Sequence, residues 1–193
     1  MVRRIENAQE RFGKSAVELF RVHGYAETTV SHIAMNADLT ERTFYRYFTD
    51  KAEVLFWRAG ELEEEIIEVV ERATDPKPLK RVIEALEAAG CFFDSNRTDV
   101  ITRQKIITAH DDLQERELMK MNSLAVALSA ALRRQGVSEL CARMVAEAGT
   151  MIWRVAIDRW CADISKQKFS HHVHTCLMDL VYLSHEMGST GSP

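Results

Sequence analysis

Between Thr29 and Lys51 the sequence sets hydroxyl, guanidinium and phenol groups close together: Thr29, then Thr40-Glu41-Arg42-Thr43, then Tyr45-Arg46-Tyr47, then Lys51. No Gly-x-Ser-x-Gly elbow and no glycine-rich phosphate loop accompanies them, and no polar set stands at catalytic spacing. What remains is recognition by hydrogen bonds and charge. Short polar side chains in the first turn of a short helix, with an arginine among them, suit base edges in a groove about 12 Å wide. On that reading Thr40, Glu41, Arg42 and Thr43 face the bases, Arg42 as a bidentate partner for guanine and Thr43 against a thymine methyl. Tyr45, Arg46 and Tyr47 would bond phosphates, which fix register without reading sequence. Thr29 and Lys51, each at a helix start, would hold phosphates with help from backbone N–H groups. The alternative for each residue is an ordinary solvated or core side chain.

Such a set needs three helices to position it. Ile5, Ala8, Phe12, Ala16 and Leu19 recur at steps of three and four, and Gly24 follows Arg21 and His23 as a stop signal. A second helix is predicted from a cap at Thr28 or Thr29 to Asn36, and a third from a cap at Thr40. Two helices crossing steeply need a small residue at their contact, which Ala34 supplies. Ile33, Ala37, Leu39, Phe44 and Tyr47 are spaced to pin the pair to a core, with Phe44 and Phe48 read as core. The turn between them wants left-handed backbone, and Asp38 tolerates it better than most residues. Asp50 then caps a fourth helix predicted to run unbroken to Ala73, ahead of Asp75-Pro76-Lys77-Pro78. Five more helices are expected, at about 79–94, 98–109, 112–135, 138–162 and 169–187. The predicted class is all-α.

Composition agrees with this class. The 193 residues include only 3 Pro and 8 Gly, too few for a many-turned β fold, while 46% hydrophobic content allows a core. The net charge of −4 speaks against a nucleic-acid partner until it is divided. Residues 1–51 hold eight Lys/Arg against seven Asp/Glu, and the remainder seventeen against twenty-two. The acidity therefore belongs to the later part. Cys91, Cys141, Cys161 and Cys176 form no Cys-x-x-Cys pair, which fits reduced thiols in a cytoplasmic protein. The start of the chain has no apolar stretch of signal-peptide type, and no apolar run approaches a membrane span. Arg3 and Arg4 are candidates for an arm on DNA.

Gly24-Tyr25-Ala26-Glu27-Thr28-Thr29-Val30, Ile33-Ala34, Ala37-Asp38-Leu39-Thr40, Thr43-Phe44-Tyr45-Arg46-Tyr47-Phe48 and Lys51 together resemble the DNA-binding domain of TetR-family transcriptional regulators. The likeness covers roughly residues 5–55. It implies a helix-turn-helix DNA-binding domain at 1–51 and a larger helical domain at 52–187 that binds a small molecule and dimerises. Residues 188–193, small and polar, are expected to be a disordered tail. The implied function is a ligand-responsive regulator, a repressor, that binds a palindromic operator as a homodimer and is released by a largely apolar ligand. An all-α enzyme, or a DNA-binding protein that senses nothing, is the alternative.

Phe92, Phe93, Met121, Leu124, Leu128, Trp153 and Ile157 suit an adaptable apolar pocket, although for any one of them core is the better reading. Arg103 is a candidate for a ligand head group, as are Gln104, His110, Asn122 and Arg154. The stretches Arg103–Gly136 and Trp153–Cys161 are similar to TetR regulators whose second domain takes acyl-CoA-like ligands. His171, His172 and His174 lack a local carboxylate or cysteine at ligand spacing, so no metal and no cofactor is predicted. The glutamates of 61–71 read as a solvated helix face.

Overall fold

The computed structural model describes residues 7–188, and every regular element in that span is helical. Ile5, the Arg3-Arg4 pair and residues 189–193 of the expected tail lie outside the described residues. Helices α1 (Ala8–His23), α2 (Val30–Asn36) and α3 (Glu41–Tyr47) are succeeded by a 3-10 turn at Ala52–Phe56. Then come α4 (Ala59–Arg72), α5 (Pro78–Ser95), α6 (Arg97–Thr108), α7 (Asp111–Arg134), α8 (Glu139–Ala162) and α9 (Phe169–Gly188).

The fourth helix is not continuous from Asp50 to Ala73 as its sequence suggests. Asp50 does act as a cap, its Oδ1 accepting from the Glu53 N–H at 2.9 Å. But Val54, Leu55 and Phe56 are all buried in succession, a pattern that no one-sided helix can satisfy. Arg103 also donates from Nε to the Leu55 carbonyl at 2.7 Å, engaging an acceptor that an α-helix would use itself. The chain therefore winds as an enclosed 3-10 turn before α4 begins.

The chain divides into two compact units. The first comprises residues up to Gly60 together with Arg97–Glu117, and the second comprises Glu61–Asn96 with the residues from Leu118 on. In the first, Phe12, Phe20, Ile33, Phe44, Phe48 and Phe56 form a core with Ile107 and Leu113. Phe12 meets Phe44 and Phe48 edge-on at 5.2 and 6.0 Å. Each such buried side chain contributes about 1.5–3 kcal/mol by leaving water.

In the second unit, Phe93 is surrounded by Trp153, Trp160 and Phe169 at ring separations of 5.2, 6.1 and 5.0 Å. The Asp94 carboxylate ties this cluster by accepting from Trp160 Nε1 (3.2 Å) and from the Phe169 N–H (2.9 Å). The α8–α9 link is organised by Asp163. Its Oδ1 accepts from Ser165 N–H, and its Oδ2 from Gln167 N–H, both at 2.8 Å, with His172 Nε2 at 3.2 Å.

Candidate functional site

Thr29 and Thr40 are the N-caps of α2 and α3. Thr29 Oγ1 accepts from the His32 N–H at 3.2 Å while His32 Nδ1 accepts from the Thr29 N–H at 3.4 Å, closing a capping box. Thr40 Oγ1 accepts from the Thr43 N–H at 3.1 Å and lies 2.9 Å from the Thr43 hydroxyl. These hydroxyls thus set the helix starts first, and any outside partner shares them.

The turn joining α2 to α3 has Asp38 at φ 51°, the left-handed conformation expected of it. Behind it, Arg11 of α1 donates through Nη2 to the Ala37 carbonyl (2.5 Å) and the Asp38 carbonyl (3.1 Å). Buried Ser15 donates to the Ile33 carbonyl at 2.9 Å. Together they satisfy the end of α2 and fix the angle at which α3 leaves. Ala34, 2% exposed, sits at the helix contact.

The outer face of α3 carries Glu41, Arg42, Tyr45, Arg46 and Tyr47, all exposed. Tyr47 was expected to pin the helix pair; it is 39% exposed, and Phe44 and Phe48 at 0% and 3% do the anchoring. Arg46 donates from Nη2 to the Tyr47 hydroxyl at 2.8 Å, with its guanidinium 4.7 Å from the ring centre. Arg42 extends from the first turn into solvent with no ion pair or hydrogen bond among the described residues.

Lys51 is more constrained than its sequence position suggests. Its ammonium donates to the Tyr25 carbonyl at 2.6 Å and the Ala26 carbonyl at 3.4 Å, 4.3 Å from the Tyr25 ring. Burial lowers its pKa, and the nearby charges of Asp112 and Glu27 oppose that. Asp50, next to it, is gripped by Arg116 through two bonds of 3.2 and 2.9 Å. Burial alone would raise the Asp50 carboxyl, but the hydrogen bonds from Arg116 and from the Glu53 N–H outweigh it and hold the pKa below its ordinary value.

The residues proposed for a small molecule are distributed differently. An open cleft of about 550 Å³ in the second unit is lined by apolar Leu118, Met121, Met151 and Leu180 and by polar Asn122, Glu147 and Arg154. Met121 alone of the eight candidates lines this cleft, joined by Asn122 and Arg154 from the wider polar set. Phe93, Leu124, Leu128, Trp153 and Ile157 are core, and the Phe92 ring rests edge-on against Phe93 at 5.9 Å. Arg103 belongs to the first unit, bound to Leu55 and to Glu117 Oε1 at 3.0 Å, with its guanidinium 4.9 Å from the Phe56 ring centre. Leu118 and Leu180 went unread because neither stands out from the apolar residues around it. Among the described residues no group of three or more His, Cys, Asp or Glu could hold a metal ion, and no helix is long and apolar enough to cross a membrane.

Residues 14–56 match the model for bacterial regulatory proteins of the tetR family. The match is to the tetR-family DNA-binding domain and takes in 43 of the 193 residues. That domain spans α1 to the 3-10 turn, so Thr29, Thr40–Thr43, Tyr45–Tyr47 and Lys51 all fall inside the matched segment. A curated relative, the HTH-type transcriptional regulator TcmR of Streptomyces glaucescens, is 31% identical over 87 residues, which are 45% of this chain and 38% of that protein. The match therefore spans under half of either chain. Over most of its length the fold is similar to two solved regulators at low identity. The fatty acid degradation regulator FadR of Bacillus halodurans is 16% identical, with a TM-score of 0.61 and coverage of 90% of this chain and 94% of that one. FadR of Thermus thermophilus, solved with lauroyl-CoA, is 20% identical, with a TM-score of 0.55 and coverage of 90% and 93%. The matched tetR-family domain and these relatives are those of transcriptional regulators rather than enzymes.

Proposed function

We propose that this chain is a ligand-responsive transcriptional regulator, acting as a repressor in the cytoplasm, that binds a palindromic operator as a homodimer. The observation that carries the reading is α3 itself. It is a short capped helix anchored by Phe44 and Phe48, with Arg42 extended from its first turn and unpartnered among the described residues. A side chain so placed can meet a guanine edge bidentately. Arg46, Tyr45 and Tyr47 flank it as phosphate partners, and Thr29 and Lys51 complete the footprint. Two copies would present α3 to half-sites about one helical turn apart.

The second copy fits an apolar stripe on the last two helices. Leu140, Met144, Met151 and Val155 recur along α8, and Met178, Val181 and Tyr182 lie along α9, all exposed. Exposed apolar faces of this extent mark association surfaces. The effector would be a small molecule with an apolar body, of the acyl-CoA kind named for the Thermus regulator. The α7–α8–α9 cleft is its candidate site, since its volume of about 550 Å³ falls in the range of small-molecule pockets. Ligand occupancy would favour a dimer whose two α3 helices no longer match the half-site spacing.

The test begins with duplexes selected by the wild-type protein from a random pool. Arg42→Ala should lose discrimination among them by about 1–3 kcal/mol at one base position. Lys51→Ala should weaken binding to every sequence and reduce the salt slope by about one. Unchanged binding in both variants would remove the site assignment. Lauroyl-CoA should then raise the melting temperature and release the selected duplex, and Met121→Trp should suppress both effects. Release that survives Met121→Trp would move the effector out of this cleft. A protein that selects DNA but responds to no acyl ligand would be a constitutive binder.

A further inference from the structure

Two charged side chains of α8 are left unused by the fold of their own chain. Glu147 and Arg154 stand two turns apart on one face of the helix, about 10 Å along its axis, with Met151 between them. Both are exposed at the rim of the α7–α8–α9 cleft, and neither side chain has an ion pair or hydrogen bond among the described residues. Arg143 and Asp158 lie one turn further out on the same face and are also exposed. Along the helix the four charges run plus, minus, plus, minus, spaced evenly to either side of a point beside Met151.

In an antiparallel pair of α8 helices related by a two-fold axis beside Met151, each residue meets the one equally far beyond the axis. Glu147 then faces Arg154 of the partner subunit, and Arg143 faces Asp158 of the partner subunit, each contact occurring twice. The exposed stripe of Leu140, Met144, Met151 and Val155 runs beside the charged one and meets its own copy in the same arrangement. Apolar contact alone tolerates several registers, because a slide replaces one aliphatic group by another. The charges do not. A slide of about one turn sets Glu147 against Asp158 of the partner subunit in one direction and Arg143 against Arg154 of the partner subunit in the other. A parallel pair sets every charge against its own sign. Opposed charges beside an apolar seam select register and orientation in this way.

We propose that α8 pairs antiparallel with α8 of a second copy of this chain about an axis beside Met151, in the register that opposes Glu147 to Arg154 of the partner subunit. The inference rests on the homodimer proposed above and adds its register and the charges that select it. Because Glu147, Met151 and Arg154 all line the cleft, the second copy lies along the cleft's rim.

A charge exchange tests it, read by sedimentation of the full chain over a dilution series. Glu147→Arg and Arg154→Glu, each alone, put like charges in contact twice and should weaken dimerisation about tenfold or more. Both substitutions in one chain restore opposite charges and should return dimerisation to within about threefold of wild type. Mixing the two single variants should give a heterodimer in preference to either homodimer, since one then presents two cations to the other's two anions. Circular dichroism on every variant separates dissociation from unfolding. Single variants that dimerise like the wild type, a double variant no better than the singles, or a mixture without heterodimer would overturn the register. A wild-type chain that is monomeric at every concentration would instead overturn the homodimer reading, so the two failures are distinct.

Discussion

Asp163 is a residue whose protonation the fold resists. Hydrogen bonds from Ser165, first through its hydroxyl, then from the Gln167 and Ser165 N–H groups and from His172, hold its pKa far below the usual carboxylate range, against a smaller opposing effect of burial. A carboxyl depressed on folding adds stability that is complete above its unfolded value of about 3.9 and is lost as pH falls toward the folded value. Asp163→Asn should therefore lower the melting temperature at neutral pH, and the gap from wild type should narrow below about pH 4. Melts at both conditions check this; a gap independent of pH would assign the effect to shape rather than charge. At the same scale, Arg103 illustrates what a sequence hides. A polar residue among apolar neighbours reads as a ligand contact, yet here the guanidinium serves the Leu55 carbonyl and Glu117. No local signal distinguishes a ligand's carboxylate from one fourteen residues away.

Among the elements, the α2–α3 turn and the packed α5 helix yield opposite expectations. Asp38 holds a left-handed backbone and is open to solvent, and its 3.6 Å pairing with Arg11 is exposed and weak. Asp38→Gly should leave stability within about 0.5 kcal/mol, whereas Asp38→Val should cost about 1–2 kcal/mol, since a branched side chain tolerates that conformation poorly. Gly90 is a different case. A Cβ there would stand 2.6 Å from Phe169 Cδ1, in a ring that is itself fully buried. Gly90→Ala should cost about 1–3 kcal/mol through overpacking, read by denaturant unfolding. The caps at Thr29 and Thr40, the stop at Gly24 and the turn at Asp38 were legible because each depends on residues a few positions apart. The break after Asp50 was not, because the Leu55 carbonyl within it is engaged by Arg103, 48 residues downstream.

For the molecule as a whole, the proposed dimer makes the next expectation. Met144→Asp combined with Tyr182→Asp places charge on both apolar stripes, which are 64% and 63% exposed at those positions. Sedimentation should then report a monomer whose helicity is retained and whose affinity for a palindromic duplex falls toward that for a half-site. A dimer that persists would place the association surface elsewhere. The class of the chain could be read from helical periodicity and the scarcity of Pro and Gly, but the composition of its units could not. A division after Lys51 follows the motif, whereas the first unit extends to Gly60 and takes in Arg97–Glu117. Sequence patterns report which residues want burial; they do not report which distant segment supplies the partner surface.

That split has a consequence for how the chain is made. Ile107 and Leu113 belong to the same core as Phe12 and Phe44, and Arg103 and Arg116 satisfy groups on the 3-10 turn. A nascent chain that has emerged only to Gly60 has the whole helix-turn-helix but lacks these partners. Synthesis must proceed through α4 and α5 and into α7 before the DNA-reading unit can close. The reading head is encoded first and completed late, so a ribosome-bound or truncated fragment ending at Gly60 should be protease-sensitive where the full chain is not.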